Sequence, residues 1–205
     1  NMAMLKGDPW SLDFLPDGRA LVAIRQGQLM WVDQGKVTPI EDLPKVSTRG
    51  QGGLLGVKAH PQFAKNGWVY LAFSHGVNAK AMTKIVRGKI KNNRWYSEQT
   101  IFETPESFYT DSQYHFGVRL VFDNNYLFFG IGDRGKQDQA QDLTRPNGKI
   151  HRILDDGRVP KDNPFVNVPS AFPSIWAYGN RNPQGLRAVE KILCPIDASS
   201  VKIRT

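Results

Sequence analysis

The chain holds a single cysteine, Cys194, among its 205 residues. One thiol can form neither an internal disulfide nor a Cys-based zinc site. It leaves the compartment open, because thiol-poor chains occur in an oxidising periplasm and in the cytosol alike. No apolar run approaches the roughly 20 residues of a membrane-spanning helix, so no membrane span is expected. No signal-peptide pattern is visible, and an initial Asn reads as a processed or trimmed start. Helical periodicity is almost missing: only Ala188 to Leu193 carries it, and weakly. His, Cys and carboxylates nowhere take the spacing of transition-metal ligands. There is no Gly-x-Ser-x-Gly elbow and no dinucleotide fingerprint. Gly50, Gly52 and Gly53 are not followed by the Gly-Lys-Ser/Thr of a phosphate-binding loop.

What is present suits a folded domain of many short strands. Hydrophobic residues make up 40% of the chain and aromatics 11%, enough for a core and too much for a disordered segment. The net charge is +8. A solvated basic surface, a channel for an anionic cofactor or substrate, and a nucleic-acid face would each produce such a charge. The basic residues are scattered, with short clusters such as Arg87, Lys89, Lys91 and Arg94, and no nucleic-acid motif accompanies them. No nucleic-acid partner is therefore expected.

Strand and turn signals alternate along the chain. Trp10 to Phe14, Arg19 to Ile24, Leu29 to Val32 and Lys36 to Thr38 read as four short strands, separated by Pro16-Asp17-Gly18, Gln26-Gly27 and Gln34-Gly35. Such a unit matches one blade of a β-propeller. A second unit runs through Leu54 to Ala59, Trp68 to Phe73, Thr83 to Ile90 and Trp95 to Phe102. A third has Val118 to Phe122, Tyr126 to Ile131 and Lys149 to Leu154, and a fourth opens after Gln184. Glu103 to Ser112 and Lys161 to Ser174 read as loops. The expected fold is all-β: one partial β-propeller domain over residues 1–205, about three blades and the start of a fourth.

Three segments recur roughly 65 residues apart, the scale of a repeated all-β module: RGQGGLLG (from Arg49), HFGVRLVF (from His115) and NRNPQGL (from Asn180). Each places a polar residue, Gln51, His115 or Arg181, just ahead of a strand-like stretch. If each opens the innermost strand of its blade, the three polar residues meet on one rim. His115 is the candidate general base, since a neutral imidazole accepts protons near physiological pH. The hairpin from Gly117 to Gly132 turns at Asn124 and returns Asp133 beside it, where a carboxylate would fix the imidazole tautomer. Arg181 offers a planar fork for carboxylates or quinone oxygens, with Asn182 next to it. Gln51 sits in a Gly-rich turn that lets backbone approach a ligand. Each also has a purely structural reading: a loop-bonding His, a loop-bracing Arg, a tight blade connection. Asp17, Asp123, Asp155 and Asp156 are turn residues; Asp138 and Asp142 could bind an ion, but nothing singles them out.

Together PWSLDFLPDGRALV, RGQGGLLGVKAHPQF, HFGVRLVF, IGDRG, GKIHRILDDGRVPKDNPF and YGNRNPQGL resemble the soluble quinoprotein glucose dehydrogenase and aldose sugar dehydrogenase family, also called glucose/sorbosone dehydrogenases. The likeness runs from Pro9 to about Leu186. It implies a six-bladed β-propeller that binds pyrroloquinoline quinone (PQQ) and calcium at its central channel, oxidises the anomeric carbon of an aldose to a lactone, and works in the periplasm or outside the cell. On that resemblance His115 is the base, Asp133 orients it, Gln51 is a polar contact to substrate or cofactor, and Arg181 and Asn182 touch the quinone. The resemblance does not identify the electron acceptor.

Four positions depart from the family pattern: Tyr114, Val118, Asn180 and Ile24. The stretch 187–205 departs more deeply. It lacks the Gly-Pro segment that holds calcium in the family and reads as a truncation or an altered reading frame, so that this chain alone is expected to be inactive. Translating the encoding DNA in its other frames tests that. The rival expectations are a non-catalytic β-propeller fragment used for binding or interaction, and a propeller lactone hydrolase, which would need clustered acidic metal ligands that the sequence does not show.

Overall fold

The computed structural model describes residues 5–189 and 192–197. Its strands form three four-stranded antiparallel sheets and a two-stranded hairpin. The first sheet is β1 (Pro9–Phe14), β2 (Ala20–Ile24), β3 (Gln28–Asp33) and β4 (Lys36–Ile40). The second is β5 (Leu54–Ala59), β6 (Val69–Val77), β7 (Lys80–Lys91) and β8 (Arg94–Glu103), with one turn of helix, α1 (Phe63–Asn66), between β5 and β6. The third is β9 (Gly117–Asp123), β10 (Tyr126–Ile131), β11 (Lys149–Leu154) and β12 (Ile175–Tyr178). The hairpin pairs β13 (Pro183–Val189) with β14 (Ile192–Asp197).

Within each sheet the strands lie in chain order, as tight turns dictate. Asp17 shows how one is made: its Oδ1 accepts the Arg19 amide at 3.1 Å, while Gly18 takes the positive φ of 86° that the turn needs. β2 and β10 are apolar almost throughout, and β2 is buried along its whole length. Covered on both faces, they have no reason to alternate.

The sheets follow one another as propeller blades. The first strand of each packs on the first strand of the next: β1 on β5, β5 on β9, and β9 on β13. The core lies between blades. Leu21, Leu29, Leu71 and Phe73 fill the space between the first and second sheets, and Tyr70, Phe116, Leu127 and Phe129 that between the second and third. Asp13, buried on β1, staples the first pair of blades by accepting the Ala59 amide at 2.7 Å and the Lys58 ammonium at 2.6 Å.

The innermost strands share one irregularity. The pairing register shifts at the start of β1 (between Pro9 and Ser11), β5 (between Leu54 and Gly56) and β13 (between Pro183 and Gly185), and in β9 next to Gly117. A bulge twists its strand and re-aims the adjoining side chain, so every blade modifies its inner strand at the same end.

One sequence expectation changes, and two features are added to the reading. The stretch Lys161 to Ser174 is the loop it reads as, and β12 follows it and supplies a fourth strand for the third blade. The weak helical pattern of Ala188 to Leu193 yields to a β-hairpin whose strands reach Val189 and resume at Ile192, because β13 is held by β9 as well as by β14 and six residues of helical pattern cannot compete with that. The atypical tail pairs as far as Asp197, and its remainder, 198–205, lies outside the described residues.

Candidate active site

Gln51, His115 and Arg181 lie just ahead of β5, β9 and β13, at one end of the inner strands. The structure links them through a short chain of hydrogen bonds. His115 is the centre: its Nδ1 is 2.7 Å from Asp133 Oδ1, and its backbone N–H donates to Gln51 Oε1 at 2.8 Å. Asp133 in turn donates its amide to the Arg181 carbonyl at 2.7 Å. Asn182 joins from β13's approach, its Oδ1 accepting the Gly117 amide at 3.1 Å. Residues far apart in sequence thus hold one loop.

The local backbone is unusual. His115 has φ 52°, Gly117 φ 67° and Val118 φ 73°. A β-branched residue with positive φ is strained, and it persists here because Val118 is fully buried between the blades. Gly132 is required for a different reason: a Cβ there would fall on the His115 carbonyl oxygen.

Asp133 is 1% exposed and the His115 side chain 16%. The carboxylate Oδ1 also accepts the Gly135 amide at 2.7 Å, and the backbone oxygen of Asp133 accepts Asn147 Nδ2 at 2.9 Å. Its Oδ2 is buried with no hydrogen-bond partner among the described residues. Because a carboxylate only accepts, Nδ1 of the neutral imidazole carries the proton, and Nε2 keeps its lone pair. That is the tautomer a general base needs.

Cationic positioning residues surround the pair. Arg134 is 1% exposed; its guanidinium lies 3.3 Å from the centre of the Phe116 ring and donates to the carbonyls of Ser112 (2.6 Å) and Tyr114. It clamps the chain on both sides of His115. Burial pushes its pKa down to about 9, against the pull of Asp133, which leaves it charged at neutral pH. Lys149, fully buried, donates to the carbonyls of Gln139, Ala140 and Asn147 at 2.8–3.0 Å, and burial brings its pKa down to about 8. Through Asn147 it fixes the Asp133 backbone. Arg25 donates to the Gly50 and Gly52 carbonyls, both at 3.1 Å, and holds the loop that carries Gln51. Arg134 and Lys149 lie inside the motifs IGDRG and GKIHRILDDGRVPKDNPF, which give no sign of these contacts.

Beside the pair a cavity of about 220 Å³ is lined by Asp133, Gln137, Gln141, Asn180 and Arg181. Of the other positions singled out, Ile24 is core in β2 and Tyr114 stands 61% exposed at the mouth of the loop. Asp142 is spent locally: hydrogen bonds from Thr144 hold its carboxyl below the usual range. Among the described residues no group of three or more His, Cys, Asp or Glu could hold a metal ion.

The chain is similar to proteins of one family. The glucose/sorbosone dehydrogenase family profile matches residues 7–192. An aldose sugar dehydrogenase of Escherichia coli is 39% identical over 185 residues, covering 87% of this chain and 49% of the relative. The quinoprotein glucose dehydrogenase B of Acinetobacter calcoaceticus is 29% identical, with 87% of this chain and 43% of the relative covered. The apo crystal structure of the soluble E. coli aldose sugar dehydrogenase superposes with a TM-score of 0.88 at 35% identity, over 94% of this chain and 58% of that one. The PQQ-bound aldose sugar dehydrogenase of Streptomyces coelicolor gives 0.82 at 30% identity, over 96% and 58%. The chain spans about half the length of the curated relatives it matches.

Proposed function

This chain belongs to the glucose/sorbosone dehydrogenase family, and on that footing we propose that its rim is part of the active site of a PQQ-dependent aldose dehydrogenase. One observation carries the reading: Asp133, which lies 2.7 Å from His115 Nδ1, also lines a cavity walled by Arg181.

The donor set suits one edge of the cofactor. Arg181 with the amides of Gln137 and Gln141 provides a cation and neutral donors, the chemistry that a polycarboxylate quinone demands. At about 220 Å³ the cavity is smaller than the roughly 300–1,000 Å³ that drug-sized ligands fill, so these residues form one wall of the site. The described residues offer no carboxylate cluster for calcium.

The chemistry assigned to the chain's own groups is proton transfer and orientation. His115 Nε2 takes the proton of the sugar's anomeric hydroxyl, and Asp133 stabilises the imidazolium that results. PQQ, when bound, would supply the two-electron acceptor for the hydride of the anomeric C–H bond, with a lactone as the oxidised product. Gln51 holds His115 through its backbone, and Asn182 holds the strand that follows. This reading carries with it an extracytoplasmic location and an aldose substrate, and it leaves turnover to a ring with the remaining blades.

Titrating PQQ with calcium while following its absorbance tests the reading. Saturable spectral change is expected in the wild type, weakened about tenfold or more in Arg181→Ala and kept in His115→Ala. A wild-type spectrum that never changes would favour the rival, a non-catalytic binding fragment.

A further inference from the structure

A second cavity, larger than the one beside Arg181, lies elsewhere in the molecule. A cleft of about 590 Å³ opens between the β4–β5 connection and the β6–β7 hairpin. It shares no lining residue with the Arg181 cavity. Its size falls within the range filled by small-molecule ligands.

Its chemistry is one-sided. Lys45, Arg49, Lys80 and Lys84 surround it, against the single lining carboxylate Glu98. Lys84 is matched by Glu103, whose oxygen lies 3.0 Å from Nζ. Glu98 is itself engaged, accepting the Trp95 indole N–H at 2.8 Å. Arg49 donates to the Ala79 carbonyl across the cleft mouth, a bond that leaves its charge unneutralised. Lys45 and Lys80 have no ion-pair partner among the described residues. Like charges gathered around a solvated concavity raise its potential and favour entry of an anion.

Neutral features complete the cleft. Pro44 and Val46 contribute apolar surface. The wall residue His75 has Nδ1 at 2.8 Å from the Tyr109 hydroxyl and 3.4 Å from Glu103 Oε1. Gly76 lets hairpin and connection approach each other, since a Cβ there would stand 2.9 Å from Ser47 Cβ.

We propose that this cleft binds a sugar-sized anion, a carbohydrate bearing a phosphate or carboxylate group. An Arg fork with flanking ammonium groups suits either oxyanion, and the apolar surface suits one face of a sugar ring. The proposal is independent of the quinone reading, because no residue of the His115 site takes part.

Calorimetric titration of the full chain with glucose 6-phosphate, glucuronate and glucose tests it. At least one acidic sugar is expected to bind with a Kd below about 1 mM, and glucose to bind at least about tenfold more weakly. Phosphate-only or carboxylate-only binding supports the proposal and identifies the group. The double variant Lys45→Gln/Lys80→Gln should weaken binding about tenfold or more. Lys65→Gln, an exposed lysine on α1 outside the lining, and Arg181→Ala should each leave it unchanged. The idea is overturned by no binding of either acid up to about 10 mM, by glucose binding equally well, or by equal losses in the double variant and Lys65→Gln. An unchanged Kd in the double variant, with its fold intact by circular dichroism, overturns it too.

Discussion

Asp133 holds two ends of the rim at once: its side chain meets His115 Nδ1 at 2.7 Å while its amide donates to the Arg181 carbonyl at the same distance. The candidate base and the candidate cofactor residue are therefore positioned by one buried carboxylate residue at the end of β10, and their spacing does not depend on either loop alone.

The two oxygens of that carboxylate differ, and substitution should reveal it. Oδ1 accepts from His115 and Gly135, whereas Oδ2 is buried without a partner among the described residues. Asn can keep Oδ1 and its two bonds, so Asp133→Asn should lie within about 1 kcal/mol of wild type in urea denaturation. Asp133→Ala removes both charge-assisted bonds and should cost about 3 kcal/mol or more. Equal losses for the two variants would contradict this division.

Gln51 provides an acceptor, and its amide N–H₂ plays no part in holding His115. Gln51→Glu should therefore preserve protection of the His115 amide against hydrogen exchange. Gln51→Leu should speed that exchange by roughly 5–30-fold, equivalent to about 1–2 kcal/mol for one lost bond. Faster exchange in both variants would show that the amide nitrogen matters as well.

Gly132→Ala should be severe although its change is a single methyl. The added Cβ meets backbone, the His115 carbonyl oxygen, which cannot turn away as a flexible side chain could. A loss of about 2–4 kcal/mol is expected from thermal or urea melts, together with loss of any PQQ-induced spectral change. A near-wild-type melt would mean that the loop at His115 relaxes freely.

His151 makes stability depend on acid. It is fully buried, with Nε2 donating to the Pro146 carbonyl and Nδ1 accepting from the Ser174 hydroxyl, and burial brings its pKa down to about 3 from 6.5. Between those values the unfolded chain binds the proton and the native one does not, so stability falls as pH drops through 6.5 and is already complete at pH 7. Moving from pH 7 to pH 5 should cost about 2 kcal/mol from this group alone. His151→Gln, compared at both pH values by urea denaturation, should lack that increment whatever its stability at pH 7.

Much of this architecture is legible in linear order. Turn residues such as Asp17-Gly18 and the apolar runs of β2 and β10 mark blades because their causes are local: φ preference, side chain-to-backbone bonds and burial pattern. Proximity of His115 and Asp133 is also readable, since both flank one hairpin. The closing strand β12 was not, because it follows a long polar segment and owes its existence to pairing with β11. Nor could Arg134, Lys149 and Arg25 be read as positioning residues. Each is a cation whose partners are backbone carbonyls, and carbonyls leave no trace in side-chain identity.

By itself the sequence determined the all-β repeat, the family, and which polar residues stand at the head of each inner strand, since these follow from short-range preference and motif. The tertiary structure decided what those residues do to one another. It turned Gln51 and Asn182 toward the backbone around His115, gave Asp133 one engaged and one solitary oxygen, and gathered unpaired lysines around a separate cleft. Those outcomes depend on how blades pack side by side, where groups some 65 residues apart come within 3.1 Å and burial sets the strength of each charge.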